Sequence, residues 1–121
     1  MDLDQRLRAV LAADVAGYGE LMAADERSTV IALGAAREIF REKVQSHRGQ
    51  LVDTAGDSVL AVFDTAIAAA ETAVDVQRRL AQSDADVVAT RRLRFRIGVH
   101  LGDILGASDG TVYGQGVNIA A

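Results

Sequence analysis

Apolar positions along this chain change period several times, and each change marks an element. Residues 6 to 14 carry the unbroken run Ala9-Val10-Leu11-Ala12-Ala13 and read as a buried strand that ends on Asp14. From Tyr18 to roughly Arg48, Leu21, Met22, Val30, Ile31, Leu33, Ile39, Phe40 and Val44 recur at helical spacing, with Asp25-Glu26 interrupting the run near its start. The spacing predicts a short helix followed by a long one, with Ser28 as a candidate cap for the long helix and Gly49 closing it. Gln50 to Asp53 and Ser58 to Phe63 predict two short strands around a turn, in which Gly56 can take a positive φ and expose Asp57. Residues 65 to about 82 are Ala-rich and amphipathic, with Ile67, Ala70, Val74, Gln77 and Leu80 giving the period and Thr65 as cap. A polar link from Gln82 to Thr90 leads to a strand over 93 to 101, a turn at Gly102-Asp103 and a further short strand. Ser108-Asp109-Gly110 reads as a loop.

The order strand, helix, strand, strand, helix, strand is the split βαβ pattern of a ferredoxin-like α+β fold, here with a doubled first helix. Residues 1–121 are expected to form a single domain: the chain is 50% hydrophobic and 25% charged, which supports one core. No stretch of apolar residues has the length of a membrane span and no secretory leader is visible, so the cytoplasm is the default expectation. Cysteine is absent, which removes disulfides, thiolate metal sites and Cys nucleophiles from consideration.

A net charge of −4 argues against broad nucleic-acid binding, which depends on clustered Lys and Arg. The one dense basic run is Arg91, Arg92, Arg94 and Arg96. Because Arg94 and Arg96 alternate with Leu93, Phe95 and Ile97, it reads first as the polar face of a strand and second as a phosphate or partner contact. Asp14 and Asp57 are the candidate chemistry. Taken singly, such residues serve as a helix cap and a turn residue; taken together, a strand ending in Asp and a hairpin presenting Asp can clamp divalent metals.

Both aspartates sit in recognisable frames. Leu11-Ala12-Ala13-Asp14-Val15-Ala16-Gly17-Tyr18 and Thr54-Ala55-Gly56-Asp57-Ser58-Val59-Leu60-Ala61-Val62-Phe63 resemble the catalytic domains of the class III adenylate and guanylate cyclases. Phe95-Arg96-Ile97-Gly98-Val99-His100-Leu101-Gly102-Asp103 and Val112-Tyr113-Gly114-Gln115-Gly116-Val117-Asn118-Ile119-Ala120-Ala121 are similar to the family's central strand, hairpin and Val-Asn-x-Ala-Ala helix start. The resemblance runs from about Leu7 to the last residue. In the family that helix start continues with an Arg, the rest of the helix and further strands. The resemblance therefore implies a class III cyclase fold lacking those elements, and weakened activity without the Arg.

What the resemblance implies about chemistry is specific. Asp14 and Asp57, with the main-chain carbonyl of Val15, would hold two Mg²⁺ or Mn²⁺ ions per active site. Main-chain groups of Ala16, Gly17 and Tyr18, at a helix start, would meet phosphate oxygens. Asn118 would position the ribose, and Asp53 and Thr111 stand at the base-selecting positions. Adenylate cyclases typically carry Lys where this chain has Asp53; a carboxylate accepts hydrogen bonds, which suits guanine N1–H better than adenine N1. Thr111 suits adenine, and prokaryotic relatives are mostly adenylate cyclases, so ATP is expected ahead of GTP. A head-to-tail homodimer is implied, with Asp14 and Asp57 from one subunit and Asp53, Thr111 and Asn118 from the other. His47 and His100 read as surface and strand residues. The competing expectation is a non-catalytic, cyclase-like module that binds nucleotide or only dimerises.

Overall fold

The computed structural model describes residues 3–83, 92–107 and 112–113. Strand β1 (Leu3–Val15) is followed by helices α1 (Tyr18–Ala24) and α2 (Glu26–Ser46), strands β2 (Gln50–Asp53) and β3 (Val59–Phe63), helix α3 (Ala66–Ser83), and strands β4 (Phe95–Ala107) and β5 (Val112–Tyr113). The strands make one sheet in the order β2-β3-β1-β4-β5. Each neighbouring pair is antiparallel. Hence β1 and β2 run the same way with β3 between them, and β3 and β4 run the same way with β1 between them. Two interlocked split βαβ units result, the ferredoxin-like arrangement expected.

Alternation along β1 explains its unbroken apolar run. Ala9, Leu11, Ala13 and Val15 join Leu33, Ala36, Phe40, Val44, Ala69, Val76 and Leu80 in the main core under the helices. Val10 points to the other face, where it packs with Val62, Val52 and Leu60. Residues 9–13 are thus buried on both faces, so a period of two is invisible in the sequence there. Phe40 meets Phe95 edge-on, ring centroids 5.0 Å apart, which ties α2 to the start of β4.

Three local expectations are corrected. Asp25, not Ser28, caps α2: its carboxylate accepts from the Ser28 N–H at 3.0 Å, so Ser28 is the capped residue. The buried stripe of α3 is Ala69, Thr72, Val76 and Leu80; Ile67 is 71% exposed and Val74 48%. The expected period was right in length but rotated, because the small Ala69 permits close approach to the sheet and the larger Ile67 is left outside. No turn occurs at Gly102-Asp103, since β1 extends back to Leu3 and supplies ladder partners for β4 as far as Ala107. At the end of α2 the left-handed residue is Arg48, φ 60°, while the Gly49 N–H bonds the Val44 carbonyl at 2.8 Å. Gly49 is required for space: a Cβ there would lie 2.3 Å from the Phe63 ring. Thr65 does cap α3, accepting from the Ala68 N–H at 3.1 Å.

Candidate active site

The site begins where the cover of the sheet ends. Asp14 is the second-last residue of β1 and lies on the face away from the helices, directly opposite Arg96 in the β1/β4 register. That register brings their side chains into a bidentate pair, Arg96 Nε to Asp14 Oδ1 at 2.8 Å and a terminal guanidinium nitrogen to Oδ2 at 2.9 Å. The Arg96 pKa is raised by this hydrogen bonding and by the Asp14 charge, with a further contribution from the charge of Asp57. Arg96 therefore senses both carboxylates.

Asp57 arrives from the β2–β3 turn. Gly56 takes φ 57° there, as its position in the turn requires, and the Ser58 N–H closes back on the Ala55 carbonyl at 3.0 Å. The last ladder pair between β1 and β3 is Ala13 with Val59. Beyond it the Val15 N–H has no strand carbonyl on that side, and Asp57 Oδ2 accepts from it at 3.1 Å. One carboxylate oxygen thus completes the backbone pairing of β1, in keeping with the need to satisfy every buried donor.

Asp14, Asp57 and Arg96 open onto one cleft of about 450 Å³, with Ala12, Leu60 and Gly98 among its other walls. Ala12 faces Leu60 on one side and Gly98 on the other. Small side chains there leave room for a ligand, and a Cβ at Gly98 would meet nothing within 4 Å. Two carboxylates and main-chain carbonyls are hard oxygen donors, the type Mg²⁺ and Mn²⁺ select. Among the described residues no group of three or more acidic, His or Cys side chains could cage an ion unaided.

The other expected site residues are placed unevenly. Val15 is buried in the strand end, at 3% exposure. The Ala16 N–H is committed to the Arg94 carbonyl at 2.8 Å and so is not a free phosphate donor. Gly17 is the N-cap of α1 in the left-handed region, φ 68°, so its glycine is needed for backbone conformation; an added Cβ would touch only a Glu20 oxygen at 3.9 Å. Tyr18 opens α1 and packs against the core. Asp53 closes β2 opposite Leu60, just past a shift in register. Thr111 and Asn118 lie outside the described residues. Arg96 was legible first as a strand's polar face and second as a phosphate or partner contact; its pairing with Asp14 became visible once β4 was paired with β1. His47 is more than a surface residue: its side chain is 19% exposed and joins α2 to α3 through Asp75, Nε2 to Oδ2 at 2.6 Å, with Glu71 at 3.6 Å from Nδ1.

Comparison with known proteins decides the family. Residues 6–121 match the adenylate and guanylate cyclase catalytic domain. The chain belongs to that family. A curated relative, "Putative adenylate cyclase 3" of Rhizobium meliloti (strain 1021), is 41% identical over 118 residues, which is 97% of this chain and 20% of the relative. The cyclase domain thus spans about a fifth of that protein's length. Among solved structures, an adenylate/guanylate cyclase/hydrolase from Silicibacter pomeroyi superposes with a TM-score of 0.87 at 38% identity, covering 98% of this chain and 69% of the other. A bacterial light-regulated adenylyl cyclase gives a TM-score of 0.86 at 23% identity, over 99% and 39% of the two chains, and attests the shared fold. The α+β cyclase fold and the cyclase family are established for this chain. Among the described residues no helix is long and apolar enough to cross a membrane.

Proposed function

We propose that this cyclase domain converts a nucleoside triphosphate, ATP ahead of GTP, into the 3′,5′-cyclic nucleotide and pyrophosphate. The observation that carries the reading is the convergence of Asp14 and Asp57, from separate elements, on one open cleft. In the reaction, O3′ of the ribose bonds to the α-phosphorus while the bond from the α-phosphorus to the bridging oxygen of the leaving pyrophosphate breaks. The 3′-hydroxyl proton is lost to solvent. Mg²⁺ or Mn²⁺ held by Asp14, Asp57 and the Val15 carbonyl would supply charge that acidifies the 3′-hydroxyl and stabilises the leaving group.

The chain's own residues have distinct tasks in this proposal. Asp14 exchanges its guanidinium partner for the cation, and Arg96, released from it, remains at the cleft as a positive group for the triphosphate. Main-chain groups of Gly17 and Tyr18, three and four residues after Asp14, face phosphate oxygens in this proposal. Asn118 positions the ribose, and Asp53 with Thr111 reads the base. In the proposed head-to-tail homodimer these last three come from the opposite subunit, so that a monomer is silent. The name of the 41% identical relative, an adenylate cyclase, supports ATP. Against it stands Asp53, whose carboxylate is an acceptor only. The cytoplasm is the expected site of action.

The test is cyclic nucleotide formation from ATP and from GTP with Mn²⁺, on this chain and on a version extended past Ala121. Cyclic AMP formed in preference to cyclic GMP supports the proposal in full. Cyclic GMP as the main product transfers the assignment to GTP. No product from either folded, dimeric protein favours the non-catalytic module.

A further inference from the structure

We infer that Arg37, on the inner side of α2, is a positioning residue that holds the Asp57 turn in register with Asp14; the inference deepens the cyclase reading and rests on it. The turn has little packing to fix it. Ala55, Gly56 and Ser58 are exposed, and a Cβ at Gly56 would meet nothing within 4 Å. Gly56 adds backbone freedom at the same point. The bonds from the Ser58 N–H and hydroxyl to the Ala55 carbonyl shape the turn internally but do not anchor it to the body of the domain.

Two contacts do anchor it. One is the Val15 N–H to Asp57 Oδ2. The other is the Arg37 guanidinium, which donates to the Gly56 carbonyl across the gap between α2 and the turn. They differ in what they consume. The Val15 tie occupies an oxygen of the carboxylate that is proposed to bind a cation, so it competes with that use. The Arg37 tie takes a main-chain carbonyl next to Asp57 and leaves both carboxylate oxygens available. It is therefore the anchor that persists when Asp57 is engaged.

The local chemistry suits this role. Arg37 is half-buried, so its stem is held along α2 while the planar head reaches the turn. Its Nε is buried and makes no hydrogen bond among the described residues, so the head is oriented through its terminal nitrogen on Gly56. Outer partners that orient a metal-binding carboxylate commonly change metal affinity or activity by about 10-fold to 100-fold when removed.

The experiment compares wild type, Arg37→Met and Arg37→Lys, with Asp57→Asn as reference. The first readout is hydrogen exchange of the Val15 amide without metal or nucleotide, which reports directly where the Asp57 carboxylate sits. The second is the Mn²⁺ concentration giving half-maximal cyclase activity. Arg37→Met should speed Val15 exchange while the Ala9 to Ala13 amides keep their protection, and should raise the Mn²⁺ requirement about 10-fold or more. Lysine can still donate to a carbonyl, so Arg37→Lys should recover most of both. Unchanged Val15 exchange in Arg37→Met, equal acceleration along all of β1, or failure of lysine to rescue would each overturn the inference. If wild type and Asp57→Asn are equally without activity, the cyclase reading fails, and Val15 exchange alone then decides the role of Arg37.

Discussion

On the helix side of β1, Ala9, Leu11, Ala13 and Val15 lie beneath Leu33, Phe40 and Val44, whereas on the opposite side the strand passes from Val10 and Ala12 to Asp14 at an open cleft. The same backbone serves both. On the first face these four side chains are excluded from water, and the stabilisation is apolar burial, worth about 25 cal/mol per Å². On the second, Asp14 is 42% exposed and Arg96 70%, so their ion pair is screened and contributes little to stability. The difference teaches that the strength of the fold and the chemistry of the site are carried by alternate residues of one strand, and substitutions should separate them.

The largest expected effect is on the packed face. Phe40→Ala removes a fully buried ring and its edge contact with Phe95, and should lower unfolding stability by about 3–5 kcal/mol in a urea titration. A loss under about 1 kcal/mol would mean that α2 is held to the sheet elsewhere. On the cleft face, Asp14→Ala and Asp57→Ala should each cut cyclase turnover on the order of 100-fold or more, the scale of removing a central electrostatic group. Asp14→Ala should keep its unfolding free energy within about 1 kcal/mol, whereas Asp57→Ala also strips the Val15 N–H of its acceptor and should cost about 1–3 kcal/mol. Retained metal-dependent turnover would remove the two-carboxylate reading, and a large stability loss in Asp14→Ala would erase the contrast between the faces.

A smaller effect tests how tightly the packed face is built. Gly49→Ala forces a methyl against the Phe63 ring and should cost about 1–3 kcal/mol by thermal or urea unfolding. Neutral behaviour would show that Phe63 can yield. The smallest effect lies at the edge of the helix layer, where α2 meets α3. The Asp75 carboxyl is held below its ordinary value of 3.8 by the hydrogen bond from His47, aided by the charges of His47, Lys43 and Arg78 and opposed by desolvation. The folded protein therefore binds fewer protons there than the unfolded chain. This contribution is fully present above the ordinary aspartate value and is lost as pH falls through the depressed one. Asp75→Asn should flatten the acid side of the stability profile below about pH 4; an unchanged profile would show that this contact does not sense pH.

Much of this was legible in the residues themselves. The apolar run into Asp14, the positive-φ glycine before Asp57 and the order of elements follow from local rules of sterics, spacing and turn chemistry, and they carried the fold class; the two principal candidate site residues came from these frames together with the family resemblance. Thr65 as a cap was equally local. The α3 stripe was misjudged because helical spacing gives a period but not a phase: Ile67 and Val74 repeat as well as Thr72 and Val76 do, and only the sheet beneath decides which set faces it. The continuation of β4 through Gly102-Asp103 was hidden for a similar reason, since a partner strand long enough to pair with it lies nearly a hundred residues earlier.

The sequence by itself determined how the chain alternates strand and helix, the family resemblance that these frames carry, and which carboxylates are the candidates for chemistry. Only the tertiary structure decided who their partners are. Arg96 becomes the counter-ion of Asp14 because antiparallel pairing sets residues 14 and 96 side by side, and the Val15 N–H meets Asp57 because the β1/β3 ladder ends two residues before it. Arg37 reaches Gly56 only because α2 lies against the β2–β3 hairpin. Contacts of this kind depend on register and packing between segments distant in the chain, and no local pattern of residues encodes them.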